Sequence, residues 1–73
     1  MIQKQVGLRI KEIRLSKHLS QEECSFNVGL DRTYWSSVEC GKRNISIINL
    51  NKICISFGIT LKDFFDSDIF MGE

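Results

Sequence analysis

The stretch Ser20–Asn44, SQEECSFNVGLDRTYWSSVECGKRN, decides how the chain is organised. It reads as one short helix, a glycine turn, and a second helix closed by another glycine. Counting from Gln21 as the first position, the small residue Ser25 falls fifth and Gly29 ninth. The apolar residues Cys24, Val28, Leu30, Trp35 and Val38 fall fourth, eighth, tenth, fifteenth and eighteenth. Two helices with this pattern cross at a small side chain, and the chain turns between them at a residue that tolerates left-handed backbone.

Local signals set the ends of both helices. Ser20 with Glu23 three residues on forms a capping box, and the first helix is expected to end near Asn27–Val28. Asp31 is an N-cap for a helix from Arg32 to about Cys40, stopped by Gly41 in the left-handed conformation. Trp35 and Val38, three apart, point inward; Arg32, Thr33, Ser36 and Ser37 occupy the opposite and flanking faces, with Tyr34 at the edge. Serine is a mediocre helix former, so an exposed serine pair makes best sense where short side chains let a helix enter a groove about 12 Å wide. The arrangement is a helix-turn-helix whose second helix offers its free face to a DNA major groove. Gln21 at the first helix's N-terminus can meet a phosphate, and the loop Lys42-Arg43-Asn44 suits a phosphate backbone.

Upstream, Val6, Ile10 and Ile13 define one helical stripe within residues 2–18. Lys4, Arg9, Lys11, Arg14 and Lys17 form a basic outer surface around it, with Lys17 the best placed to reach a phosphate. Gly7 inside this helix marks close helix packing, since an unconstrained glycine there would cost about 1 kcal/mol relative to alanine. Downstream, Ser46 caps a helix over 47–57, with Ile47, Leu50, Cys54 and Phe57 as its core stripe and Ile53 in support. Ile48 and Ile55 lie on another face. Gly58 stops that helix, and Thr60 with Asp63 caps a fifth over 61–66, followed by Ile69, Phe70 and Met71. There is no proline, repeat or strand-like alternation. The fold class is all-α: five short helices in a single domain over 1–73, with 46–73 also serving dimerisation. The apolar surplus after position 45 makes Ile48, Phe65, Ile69 and Phe70 the candidate dimer contacts.

With 42% hydrophobic and 26% charged residues, the 73-residue chain is expected to be globular with a small core. The net charge is only +1, but residues 1–45 carry +3 and residues 46–73 carry −2. The basic half contains the motif, and the acidic half would face away from phosphates. Cys24, Cys40 and Cys54 are an odd count without C-x-x-C spacing, and His18 is the sole histidine. This argues against both a disulfide framework and a metal site. Cys24 and Cys54 read as small buried hydrophobes, and Cys40 as the most exposed thiol. No nucleophile–base pair supports an enzyme, no cofactor is implied, and no secretory signal or membrane span is read, so a cytoplasmic location is expected.

From about Val6 to Phe65 the chain resembles the lambda-repressor-like helix-turn-helix family. Within it, DRTYWSSVECGKRNIS followed by LNKICISFGITLKDFF is most similar to the controller proteins of restriction-modification systems. The resemblance implies a homodimer binding double-stranded DNA at a palindromic operator upstream of its own gene and the endonuclease gene. It implies activation at low occupancy and repression at higher occupancy, with RNA polymerase a further partner; Asp63 and Asp66 are candidates for that contact. Carried over by position, base reading falls on Arg32, Thr33 and Ser37, with Tyr34 near the backbone or a base edge. Phosphate contacts fall on Gln21, Ser36, Lys42, Arg43 and Asn44. Arg14 and Glu39 match an ion pair common in the family, which makes Glu39 structural rather than base-reading. The chain departs from the pattern at Trp35, usually Ile or Val, at Cys40, often arginine, and at Ile55, commonly charged.

Two other readings remain. A phage repressor or antitoxin-type regulator keeps the DNA chemistry and changes the biology. A protein-interaction module would have lost DNA binding, which the cations Arg32, Lys42 and Arg43 argue against.

Overall fold

The computed structural model describes residues 1–72. Five α-helices, α1 (Ile2–Ser16), α2 (Gln21–Val28), α3 (Arg32–Glu39), α4 (Ile47–Phe57) and α5 (Leu61–Phe65), are followed by a 3-10 turn over Asp68–Phe70. Among the described residues there is no strand.

The ends of the helices follow the local chemistry. Ser20 Oγ accepts from the Glu23 amide at 3.0 Å while Glu23 accepts from the Ser20 amide at 2.8 Å, closing the capping box. Thr60 and Asp63 repeat the arrangement at α5. Asp31 accepts from the Thr33 and Tyr34 amides, and Ser46 from Asn49. Gly29, Gly41 and Gly58 adopt φ of 70–75° at the chain reversals, where a side chain would strain the backbone. His18 shares that conformation at φ 58° without being glycine.

Val6, Ile10 and Ile13 of α1, Cys24 of α2, Trp35 and Val38 of α3, Leu50, Ile53, Cys54 and Phe57 of α4 and Phe64 of α5 form one core. Ser25 is buried where α2 meets α3, and Gly7 where α1 meets α3. A Cβ on Gly7 would overlap the Val38 carbonyl oxygen and lie 2.7 Å from that of Glu39, so glycine is what allows α1 to approach the C-terminal turn of α3.

Three expectations need correction. Ile47 is not in the core: it is 66% exposed beside Ile48 at 67%, because the buried stripe runs through Leu50, Ile53, Cys54 and Phe57 and Ile47, the first residue of α4, lies at its margin. The fifth helix ends at Phe65, and the tail folds back as a 3-10 turn whose Phe70 ring packs 4.9 Å from Phe65 and 6.1 Å from Phe64. Neither Arg9 nor Arg14 is part of a solvated basic face: Arg14 is buried against Glu39. The Arg9 guanidinium donates to the Phe64 carbonyl at 2.7 Å and the Asp63 carbonyl at 2.9 Å, closing the open end of α5 against α1.

Candidate nucleic-acid interface

The helix-turn-helix is fixed by a buried ion pair. Arg14 Nε and Nη2 donate to the two oxygens of Glu39 at 2.6 and 3.0 Å, a bidentate pair joining α1 to the last turn of α3. Gln21 Nε2 donates to Glu39 Oε1 at 3.0 Å and Trp35 Nε1 to Oε2 at 2.7 Å, so the carboxylate ties together α1, α2 and α3. Burial pushes the Glu39 carboxyl up, but the bonds from Arg14, Gln21 and Trp35 outweigh it and hold it below the ordinary carboxylate range. Its side of the pair holds the Arg14 guanidinium above its usual value. The remaining Arg14 donor meets the Leu19 carbonyl at 2.8 Å, which secures the turn into α2.

This anchoring leaves the other face of α3 open. Gln21, Arg32, Thr33, Ser36, Ser37, Cys40 and Lys42 line one shallow cleft between the start of α2 and the outer face of α3. Arg32 and Lys42 are exposed and, among the described residues, belong to no ion pair. Their charge therefore faces solvent.

The individual side chains are less interchangeable than their order in the sequence suggests. Ser37 shares its hydroxyl proton between the Thr33 and Tyr34 carbonyls at 2.9 and 3.0 Å, so toward a base it can only accept. Gln21 donates one side-chain N–H to Glu39, which leaves its second side-chain N–H and its backbone N–H, in the first turn of α2, for an anion. Tyr34 is half-buried, its hydroxyl accepts from Asn49 Nδ2 at 3.2 Å, and its ring lies beneath the Arg43 guanidinium at 4.9 Å. Asn44 accepts from Gln3 Nε2 at 2.7 Å. Arg43 and Asn44 do not line the cleft: they line a separate groove with Ile2, Gln3, Val6 and Ile45, on a loop touched by Gln3 of α1 and Tyr34 of α3. Lys17 caps the end of α1 and does not line the cleft.

Gln3 and Asn49 touch these residues although nothing in their sequence positions marks them. Of the candidate dimer residues, Ile48 is two-thirds exposed and Phe65 is 40% exposed, whereas Ile69 and Phe70 are half-buried against their own chain. The Ile69 carbonyl accepts from Gln5 at 2.9 Å. Cys24 and Cys54 are buried and Cys40 is exposed. Among the described residues no group of acidic, cysteine or histidine side chains is arranged to hold a metal, and no helix is long and apolar enough to cross a membrane.

The helix-turn-helix family profile matches residues 10–64. The chain is 52% identical over 64 residues to the control protein C.MunI of a Mycoplasma species, covering 86% of this chain and 85% of that one. It is 44% identical over 61 residues to the control protein C.BamHI of Bacillus amyloliquefaciens, covering 82% and 75%. Among solved structures, the restriction-modification controller protein C.Esp1396I, a tetramer in complex with its natural 35-base-pair operator, superposes with a TM-score of 0.90 at 31% identity, covering 99% of this chain and 97% of that one. On the matched motif, the shared architecture and this level of identity, the chain belongs to the helix-turn-helix family and, within it, to the restriction-modification controller proteins.

Proposed function

We propose that this protein is a sequence-specific transcriptional regulator that binds a palindromic operator as a homodimer and controls its own gene and that of a restriction endonuclease. The observation that carries this reading is the cleft itself. The outer face of α3, the start of α2 and Lys42 converge on one surface, while Glu39, Arg14 and Trp35 hold α3 from behind. The relative solved on its operator supports the same use of the fold.

Arg32 donates bidentately to a guanine edge, a contact worth roughly 1–3 kcal/mol of discrimination. Thr33 offers its methyl or hydroxyl to the next base and Ser37 accepts from a base amine. Ser36, Lys42, Arg43, Asn44 and the Gln21 amide hold phosphates, Tyr34 stands beside the backbone, and Lys17 reaches a more distant phosphate. Two such surfaces enter successive major grooves about 34 Å apart on one DNA face. The apolar residues Ile48 and Phe65 form the centre of the protomer contact, with Ile69 and Phe70 behind Phe65. For a polymerase contact, Asp66 is the freer carboxylate, because Asp63 accepts from the Thr60 amide in its cap.

A gel-shift titration against DNA from upstream of its own gene, with Arg32→Ala alongside, tests this reading. A discrete dimer-sized shift followed by a larger one, both lost in the variant, is the expected result. Weak binding that ignores sequence and is unchanged in Arg32→Ala would instead mark a protein-interaction module.

A further inference from the structure

Arg43 stands on the loop that leaves α3, where nothing in the loop itself holds an arginine side chain in one direction. Its guanidinium nonetheless lies 4.9 Å from the centre of the Tyr34 ring. Tyr34 is in turn fixed at its far end, where the hydroxyl accepts from Asn49 Nδ2 at 3.2 Å. The Asn49 backbone is itself held, since its amide donates to the Ser46 cap at 3.0 Å in the first turn of α4. A chain of contacts therefore runs from α4 through the start of α3 to the loop cation.

We infer that Asn49 is a positioning residue for DNA binding: it fixes the Tyr34 ring, and the ring presents Arg43 to the phosphate backbone. This rests on the DNA-binding reading given above and adds a residue that does not itself touch DNA. Ordering an arginine before binding removes part of the entropy cost that a free side chain meets on contact. A cation over an exposed aromatic face is worth roughly two- to five-fold in an equilibrium constant. Breaking the Asn49–Tyr34 bond removes the restraint on the ring's far end, leaving only its packing against the core, and loosens the platform under Arg43.

The test measures operator affinity across a salt series for the wild type, Asn49→Leu, Arg43→Ala and the double variant. Asn49→Leu is expected to weaken binding roughly two- to five-fold. It should also make the salt dependence shallower, by up to the slope of about 0.9 that one phosphate contact contributes. Discrimination between the operator and a site altered at the Arg32 base should stay unchanged, and in the Arg43→Ala background the Asn49 substitution should cost nothing further. Tyr34→Phe, which keeps the ring and removes the acceptor, should reproduce the loss and serves if Asn49→Leu fails to fold. Like Asn49→Leu, it should cost nothing further in the Arg43→Ala background, where loss of a direct Tyr34 hydroxyl contact with DNA would still show. Wild-type affinity and salt slope in either folded variant would overturn the inference, as would a loss that persists in full without Arg43. A wild-type protein that shows no operator binding would instead remove the reading on which the inference stands.

Discussion

Trp35 and Glu39 are bonded across one turn of the same helix, the indole N–H donating 2.7 Å to the oxygen that also takes Arg14 Nε at 2.6 Å. The indole thus reads out from the core onto the carboxylate that joins three helices, in addition to packing edge-on against Phe57 at 6.3 Å. An aliphatic residue at this position can fill space but cannot supply the donor. Trp35→Phe should therefore lower unfolding free energy by about 1–3 kcal/mol, from the bond lost at a buried acceptor together with the space the smaller ring leaves. Urea unfolding checks this, and a variant with the wild-type midpoint would show that the indole N–H contributes nothing.

The same carboxylate gives the protein an acid-sensitive joint. Glu39 titrates below the ordinary carboxylate range in the folded state, burial opposing and the Arg14, Gln21 and Trp35 bonds dominating. A depressed folded value means the stabilisation is complete above the unfolded pKa of about 4.3 and is lost as pH falls through the folded value. Stability followed by urea unfolding should be flat from neutrality to about pH 5 and fall below it. Glu39→Gln should lose about 3–5 kcal/mol at neutral pH by leaving the Arg14 charge buried and unpaired. A Glu39→Gln protein as stable as wild type at pH 7 would contradict the joint.

Much of the fold is legible in the sequence because its signals are local. Ser20 with Glu23, Thr60 with Asp63, and the glycines at 29, 41 and 58 act within a turn of their own positions. Errors arise where a side chain's fate depends on a distant element. The spacing of Ile47 suits a core stripe, but the buried stripe runs through Ile53 instead and leaves Ile47, at the start of α4, at its margin. Arg9 looks like any other cation of α1 until α5 brings two carbonyls to it. The face of the site is legible from helical periodicity. That Gln21 gives one side-chain N–H to Glu39 and Ser37 its proton to its own helix is not, since both depend on rotamers that packing selects.

Gly7 tests how closely α1 and α3 must approach. Because a Cβ would overlap the Val38 carbonyl and crowd that of Glu39, both of them backbone, neither side can yield by a rotamer change. Gly7→Ala gains helix propensity of about 1 kcal/mol, yet it must part the helices and should be a net destabilisation of about 1–3 kcal/mol. Thermal unfolding decides between the two effects, and a raised midpoint would mean that the crossing is looser than its geometry.

The three thiols offer a chemical map of the cleft. Cys24 and Cys54 are buried and their thiols are pushed up by burial, which suppresses the reactive thiolate. Cys40 is exposed at the end of α3 and lines the cleft with Arg32, Ser36, Ser37 and Lys42. In native protein a disulfide-exchange reagent should therefore modify Cys40 rapidly and the other two only on the timescale of unfolding. Specific DNA should slow the Cys40 reaction, because a duplex seated on α3 covers that wall of the cleft, while heparin or unrelated DNA at matched ionic strength should protect it much less. Modification of Cys40 at the same rate with and without saturating operator would place the bound duplex elsewhere on the protein.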